Sequence, residues 1–357
     1  MGISEDGKYL EMTFYFGSAA TKTDVYVKDL TVPDSEVVPI VNDIEARFSA
    51  HIIEDALYLE TNWNAPNGRV LKVDLNDPDK SKWQEIIPTN PKAVIQNLSF
   101  VGERIFVNYL ENVASHIRIY KPDGAPDGEI SFPVLGTASG VSGSWKRKEA
   151  FYTFTSFASP RTIYRFDVSK RTETEWAKLN IPIDPSQFEV KQLFYPSKDG
   201  TKIPMFLIYK KGLVLDGSHP ALLYGYGGFN LSMTPSFSSN IAMWAENGGV
   251  YAIANLRGGG ELGGEPFARV RGRSDGVEHV ERGDLDELRP ARGNGHGEGC
   301  AGRVNAPRPP SAGRGPCDPG CNGHGTLGGR IDRRRFAGPF GDAAVVDELH
   351  HPAAGGA

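Results

Sequence analysis

Two glycine clusters are the parts of this sequence best suited to chemistry: Gly225-Tyr226-Gly227-Gly228 and Arg257-Gly258-Gly259-Gly260-Glu261, each following a short apolar run. Without a Cβ, the chain can bring a backbone N–H or a neighbouring hydroxyl close to an oxygen that becomes negative during reaction, and donors fixed in this way stabilise an oxyanion. A tight turn with no chemical role has the same composition, so the residues alone leave both readings open. Gly258, Gly260 and Gly263 also satisfy G-x-G-x-x-G, but no helical pattern with a later ribose-binding acid follows, which disfavours dinucleotide binding. His296, Cys300, Cys317, Cys321 and His324 are a second candidate set, for zinc. Their intervals, C-x3-C and C-x2-H, are not those of standard zinc sites, and the Gly and Pro around them supply no finger core, so no metal is expected. The odd cysteine count also argues against a disulfide framework.

The glycine clusters need strands to present them. Phe188–Pro196 and Lys202–Lys210 read as a hairpin across Ser197-Lys198-Asp199-Gly200. The runs PALLY from Pro220 and VYAIAN from Val250 read as short buried strands, and residues 236–247 between them as a helix capped by Ser236 and ended by Gly248. Strand, helix and strand in apolar runs predict an α/β sheet covered on both faces, with ligands at the carboxyl ends of its strands. A glycine-rich turn after the third strand matches the oxyanion loop of α/β-hydrolases.

Residues 1–185 carry a different pattern, an internal repeat. Four segments pair an aromatic-rich strand with a return strand: KYLEMTFYFG with DVYVKDL, ALYLETNW with RVLKVDL, RIFVNYLE with HIRIYKP, and AFYTFTSF with TIYRFDV. Equivalent aromatics at Tyr9, Tyr58, Phe106 and Tyr152 are 49, 48 and 46 residues apart. Units of that length with several strands each predict propeller blades, and a sandwich would not need a fixed period. Asn64-Ala65-Pro66-Asn67-Gly68 and Pro122-Asp123-Gly124 supply the residues that hairpin bends require. Four blades are few and the first strand lies close to Met1, so earlier blades are expected to be missing. Ile181-Pro182-Ile183-Asp184-Pro185 reads as a linker.

The chain changes character after Glu265. The first 265 residues contain 17 Lys and 9 Arg, whereas the last 92 contain 13 Arg, no Lys, no Tyr, no Trp and all three cysteines. Gly, Ala, Arg and Pro make up 52 of those 92 residues, too little apolar bulk for a core, so the tail is expected to be disordered. A genuine extension and an out-of-frame translation of a GC-rich gene compete as its origin. The depletion of Ser, Lys and Gln and the abrupt onset favour the second, and resequencing across the Glu265 codon decides between them.

SKDGTKIPMFLIYKKG (Ser197–Gly212), LDGSHPALLYGYGGFN (Leu215–Asn230) and GGVYAIANLRGGGE (Gly248–Glu261) resemble prolyl oligopeptidase, and the resemblance spans the first 265 residues. It implies a partial β-propeller of about four blades over 1–185, the start of an α/β-hydrolase peptidase domain over 186–265, and an unrelated tail over 266–357. It further implies a serine peptidase that needs no cofactor and cleaves short peptides after proline. By the same resemblance Tyr226 is the oxyanion donor, and Phe229 is the aromatic against the substrate proline ring. A neutral phenol fits that role and would contribute roughly 3 to 4 kcal/mol in the transition state. The departure from the family lies downstream: the resemblance stops at Glu265, no G-G-S-x-G-G nucleophile elbow occurs, and His279, His296, His324, His350 and His351 lack matching context. The expectation is therefore a chain without the Ser-Asp-His triad and without activity. A catalytically dead propeller that binds a peptide or protein is the alternative.

A net charge of −5 disfavours nucleic acid as a partner. No apolar run approaches the roughly 18 residues of a membrane span, and no basic stretch precedes an apolar leader. A soluble, cytoplasmic monomer is expected.

Overall fold

The computed structural model describes residues 1–17, 21–197, 199–227, 231–256, 258–261, 336–338 and 341–345. Four antiparallel sheets follow one another along the first half. The first contains β1 (Gly2–Ile3), β2 (Tyr9–Phe16), β3 (Lys22–Asp29) and β4 (Val37–Val41), and the second β5 (Phe48–Ile53), β6 (Ala56–Thr61), β7 (Arg69–Asp74) and β8 (Gln84–Ile87). The third contains β9 (Val94–Val101), β10 (Arg104–Glu111), β11 (Ala114–Tyr120) and β12 (Pro126–Ile130). In the fourth, two short strands, β13 (Thr137–Ala138) and β14 (Ser142–Gly143), both pair with β15 (Glu149–Thr155), followed by β16 (Thr162–Asp167) and β17 (Thr172–Lys178). The repeat aromatics Tyr9, Tyr58, Phe106 and Tyr152 fall on β2, β6, β10 and β15, and all four are buried.

The period of two along each strand decides where these side chains go. On β6, Leu57 and Leu59 point back to a core shared with the first sheet, whereas Tyr58 between them points forward to one shared with the third. On β10, Ile105, Val107 and Tyr109 join Tyr58, whereas Phe106 points forward to Tyr152, Phe154 and Phe166 of the fourth sheet. Each sheet therefore meets the next through its own apolar layer. This explains why β10 is buried at six consecutive positions while β2 and β17 are not.

The turns are as closely packed as the strands. Gly124, at φ +85°, lies so near β8 that a Cβ would overlap the Ile86 carbonyl oxygen, whereas Gly128, also at positive φ, has open space around it. Gly124→Ala is expected to lower stability by about 2 kcal/mol or more, and Gly128→Ala by only about 1 kcal/mol; urea midpoints of the two variants check this. Asn112 and Val113 form the two-residue loop between β10 and β11, both with positive φ, 49° and 62°. A β-branched residue in that conformation is strained, yet Val113 is fully buried. It inserts among Phe157, from the loop between β15 and β16, and Phe206, Ile208, Ile241 and Ile253 of the second half.

That second half is one mixed sheet. It comprises β18 (Phe188–Pro196), β19 (Lys202–Lys210), β20 (Ala221–Tyr226), α1 (Ser239–Glu246), β21 (Val250–Asn255), β22 (Phe336–Gly338) and β23 (Gly341–Val345), in the order β18-β19-β21-β20-β23-β22. The hairpin β18–β19 and strand β21 have the bounds that the sequence predicts. The helix is shorter: Ser238, not Ser236, is its N-cap and makes no side-chain capping bond, while Gly248, at φ +83°, does end it. The tail also departs from expectation. Two of its segments are strands, and β23 pairs in parallel with the outer edge of β20. The two halves are joined by the Val113 socket, by a bond from Gln192 Nε2 to the Asn112 carbonyl oxygen (2.6 Å) and by one from the Phe237 N–H to Thr155 Oγ1 (3.3 Å).

Candidate functional site

Tyr226 closes β20 and Asn255 closes β21, and the two residues are paired in the parallel register. The two glycine-bearing loops therefore leave the sheet side by side at its carboxyl edge. The Leu256 N–H donates to the Tyr226 carbonyl oxygen at 3.0 Å, which carries the pairing one residue beyond the strands. Tyr226 and Gly227 are half-buried, whereas Gly258, Gly259, Gly260 and Glu261 are buried. Phe229 lies outside the described residues, as do Gly228, Asn230 and Arg257, and so do the tail residues His279, His296, Cys300, Cys317, Cys321, His324, His350 and His351.

Three polar side chains hold the two loops together, Glu261 from the second glycine cluster and Ser232 and Asn255, which carry no evident signal in the sequence. Ser232 Oγ accepts from the Gly260 N–H at 3.1 Å and donates to Glu261 Oε2 at 2.9 Å. Asn255 Nδ2 donates to the Met233 carbonyl oxygen at 3.3 Å. Glu261 is only 9% exposed. Burial pushes its carboxyl above the usual carboxylate range, and the bond from Ser232 partly offsets this. The glycines differ in what they permit. A Cβ on Gly259 would overlap the Glu261 carboxylate and lie 2.8 Å from the Leu231 carbonyl oxygen, whereas a Cβ on Gly225 would make only ordinary contacts, with Leu256 at 3.4 Å. The second loop thus needs its central glycine for close approach, and the first does not need Gly225 for space.

Among the described residues, no three His, Cys, Asp or Glu side chains are grouped to hold a metal ion, and no helix is long and apolar enough to cross a membrane. Tyr226 and the buried glycines of the second loop thus lie together at the carboxyl edge of β20 and β21.

Residues 1–178 match the family model described as the prolyl oligopeptidase N-terminal beta-propeller domain. The likeness is longer than that domain: the chain is 37% identical over 262 residues, 73% of its length, to the prolyl endopeptidase of Elizabethkingia miricola. The chain is a partial member of the prolyl oligopeptidase family. The four sheets are accordingly blades of that family's propeller domain. The prolyl endopeptidase of Elizabethkingia meningoseptica is 35% identical over 262 residues, again 73% of this chain. The chain spans little more than a third of these curated relatives, 36% of each. Two solved structures agree. One, from work on two prolyl endopeptidases and their inter-domain dynamics, superposes with a TM-score of 0.70 at 40% identity, covering 74% of this chain and 39% of that one. The other is prolyl oligopeptidase B of Galerina marginata bound to a 35mer hydrolysis and macrocyclization substrate. Its TM-score is 0.69 at 31% identity, covering 74% of this chain and 38% of that one. Prolyl oligopeptidases are serine peptidases.

Proposed function

We propose that residues 186–261 are the opening of an α/β-hydrolase peptidase domain. On this reading the chain is the part of a prolyl oligopeptidase-type serine endopeptidase that carries the oxyanion donor but not the Ser-Asp-His triad. The observation that carries this is the position of Tyr226. It ends the third strand of a sheet ordered β18-β19-β21-β20, just before the crossover into α1, the connection from which α/β-hydrolases supply part of their oxyanion hole. The phenol acts there as a neutral donor to the tetrahedral oxygen, aimed by the β20 backbone and by the Leu256 bond behind it. Phe229, three residues on, supplies an apolar wall for a proline ring, a preference supported by the names of the relatives. Substrates of this class are short proline-containing peptides.

A donor without a nucleophile and a base contributes little to peptide hydrolysis; the sequence holds no G-G-S-x-G-G elbow, and its one G-x-S-x-G, Gly272-Arg273-Ser274-Asp275-Gly276, lies in the tail beyond the resemblance. The purified 357-residue chain is therefore expected to release no chromophore from a proline-linked chromogenic peptide. Release that disappears in Tyr226→Phe would overturn the inactive reading while supporting the role of the tyrosine. Release unaffected by that change would overturn both.

A further inference from the structure

Beside the Asn255 bond to Met233, the tie through Ser232 between the two glycine loops ends on one carboxyl group. Glu261 is buried, and among the described residues its carboxylate accepts from the Ser232 hydroxyl. Burying a carboxyl is unfavourable unless the hydrogen bonds it makes compensate. The geometry gained here is that of Ser232. With its proton committed to Glu261, the Ser232 oxygen is oriented to accept the Gly260 N–H, which a freely rotating hydroxyl would satisfy only part of the time. Gly259, just before the two residues bonded to Ser232, lacks the Cβ that would overlap the Glu261 carboxylate. Ser232 belongs to the loop that follows Tyr226, and Gly260 and Glu261 to the loop that follows Asn255. One hydroxyl therefore fastens the exit of β20 to the exit of β21.

We propose that Glu261 is a positioning residue that acts through Ser232 to hold the loop after Tyr226 against the loop after β21. This rests on the reading of Tyr226 as an oxyanion donor for its purpose, but not for its test. In the family reaction such a clasp keeps the donor in place before charge develops, which is when preorganisation is effective.

Hydrogen exchange of the full chain reads the clasp directly and is indifferent to catalysis. Glu261→Ala and Ser232→Ala are each expected to speed exchange of residues 227–238 and 256–261 at least tenfold. The double variant should be no faster than either single one, because both remove the same link. Glu261→Gln keeps an acceptor of the same shape and is expected to stay within about twofold of the parent. The four blades, residues 1–178, serve as the internal reference and should not change. Exchange unaltered in both alanine variants, additive acceleration in the double variant, a glutamine variant as loose as alanine, or acceleration spread evenly over the chain would each overturn the clasp. A failed clasp leaves the chromogenic-peptide result untouched, so the two readings fall separately.

Discussion

Replacing Phe206 with alanine should destabilise the chain by about 3–5 kcal/mol, the range for emptying a fully enclosed aromatic site. Phe206 lies on β19 with no exposed surface, and its ring meets Phe157 of the fourth blade at a centroid distance of 5.0 Å. The same cluster receives Val113, whose backbone conformation is strained and is held in place by this packing. Emptying the site therefore loosens the socket from both sides. The parent is expected to unfold in urea as one unit, with tryptophan fluorescence and far-ultraviolet circular dichroism coincident, whereas Phe206→Ala should separate them into two transitions. Phe194→Ala, at a 43% exposed position on β18, should change stability by less than about 0.5 kcal/mol. A loss below 1 kcal/mol for Phe206→Ala would mean that the blades and the mixed sheet are not coupled through this cluster.

The second large effect depends on pH. Glu60, on β6, is only 6% exposed; burial pushes its carboxyl up to about 7, against a weaker pull from Arg47, whose guanidinium is 3.9 Å away. In the unfolded chain the same group titrates near 4.5. Between those values the native state holds a proton that the unfolded state has released. The contribution of Glu60 is thus fully present below about pH 4.5 and is lost as pH rises through about 7, a change on the order of 3 kcal/mol. His51 works in the opposite direction. Burial lowers it from 6.5 to about 4, so its contribution grows as pH rises through that window. The two slopes oppose each other, so the parent profile between pH 4.5 and 6.5 is expected to be flatter than either group alone would make it. Glu60→Gln removes the falling contribution of Glu60, so stability should rise with pH relative to the parent over this interval and exceed that of the parent at pH 8. Parallel profiles for parent and variant, by urea titration at each pH, would show that Glu60 is ionised throughout.

The blades were legible because their information is periodic. Tyr9, Tyr58, Phe106 and Tyr152 recur at nearly constant spacing, and apolar residues alternate around them, so the second and third strands of each blade could be located. The flanking strands were not assigned. β17 is exposed at all seven positions, and β13 and β14 are two residues each, so neither burial nor length marks them. In the mixed sheet the hairpin and β21 were legible from turn residues and β-branched runs. Ser232 and Asn255 were not, because a serine and an asparagine near apolar residues have many uses and their partners are distant in sequence. Val113 is the opposite case. Local preference favours glycine or asparagine at that turn position, and only the socket on the far side of the chain explains a valine.

Three apolar layers join four blades, so such layers cover both faces of the two inner blades and one face of each outer blade, while the loop bonds to Glu5 and the Val113 socket add to the hold on the outer two. Phe14 and Phe16 on β2 and Trp176 on β17 stand 52%, 46% and 59% exposed on those outer blades. In such a row, stability is a sum over neighbours, and the ends have fewer of them. Loss of order should therefore spread inward like fraying in a stack, with limited proteolysis cutting first within 1–41 and 162–178 while the Tyr58–Tyr109 layer survives.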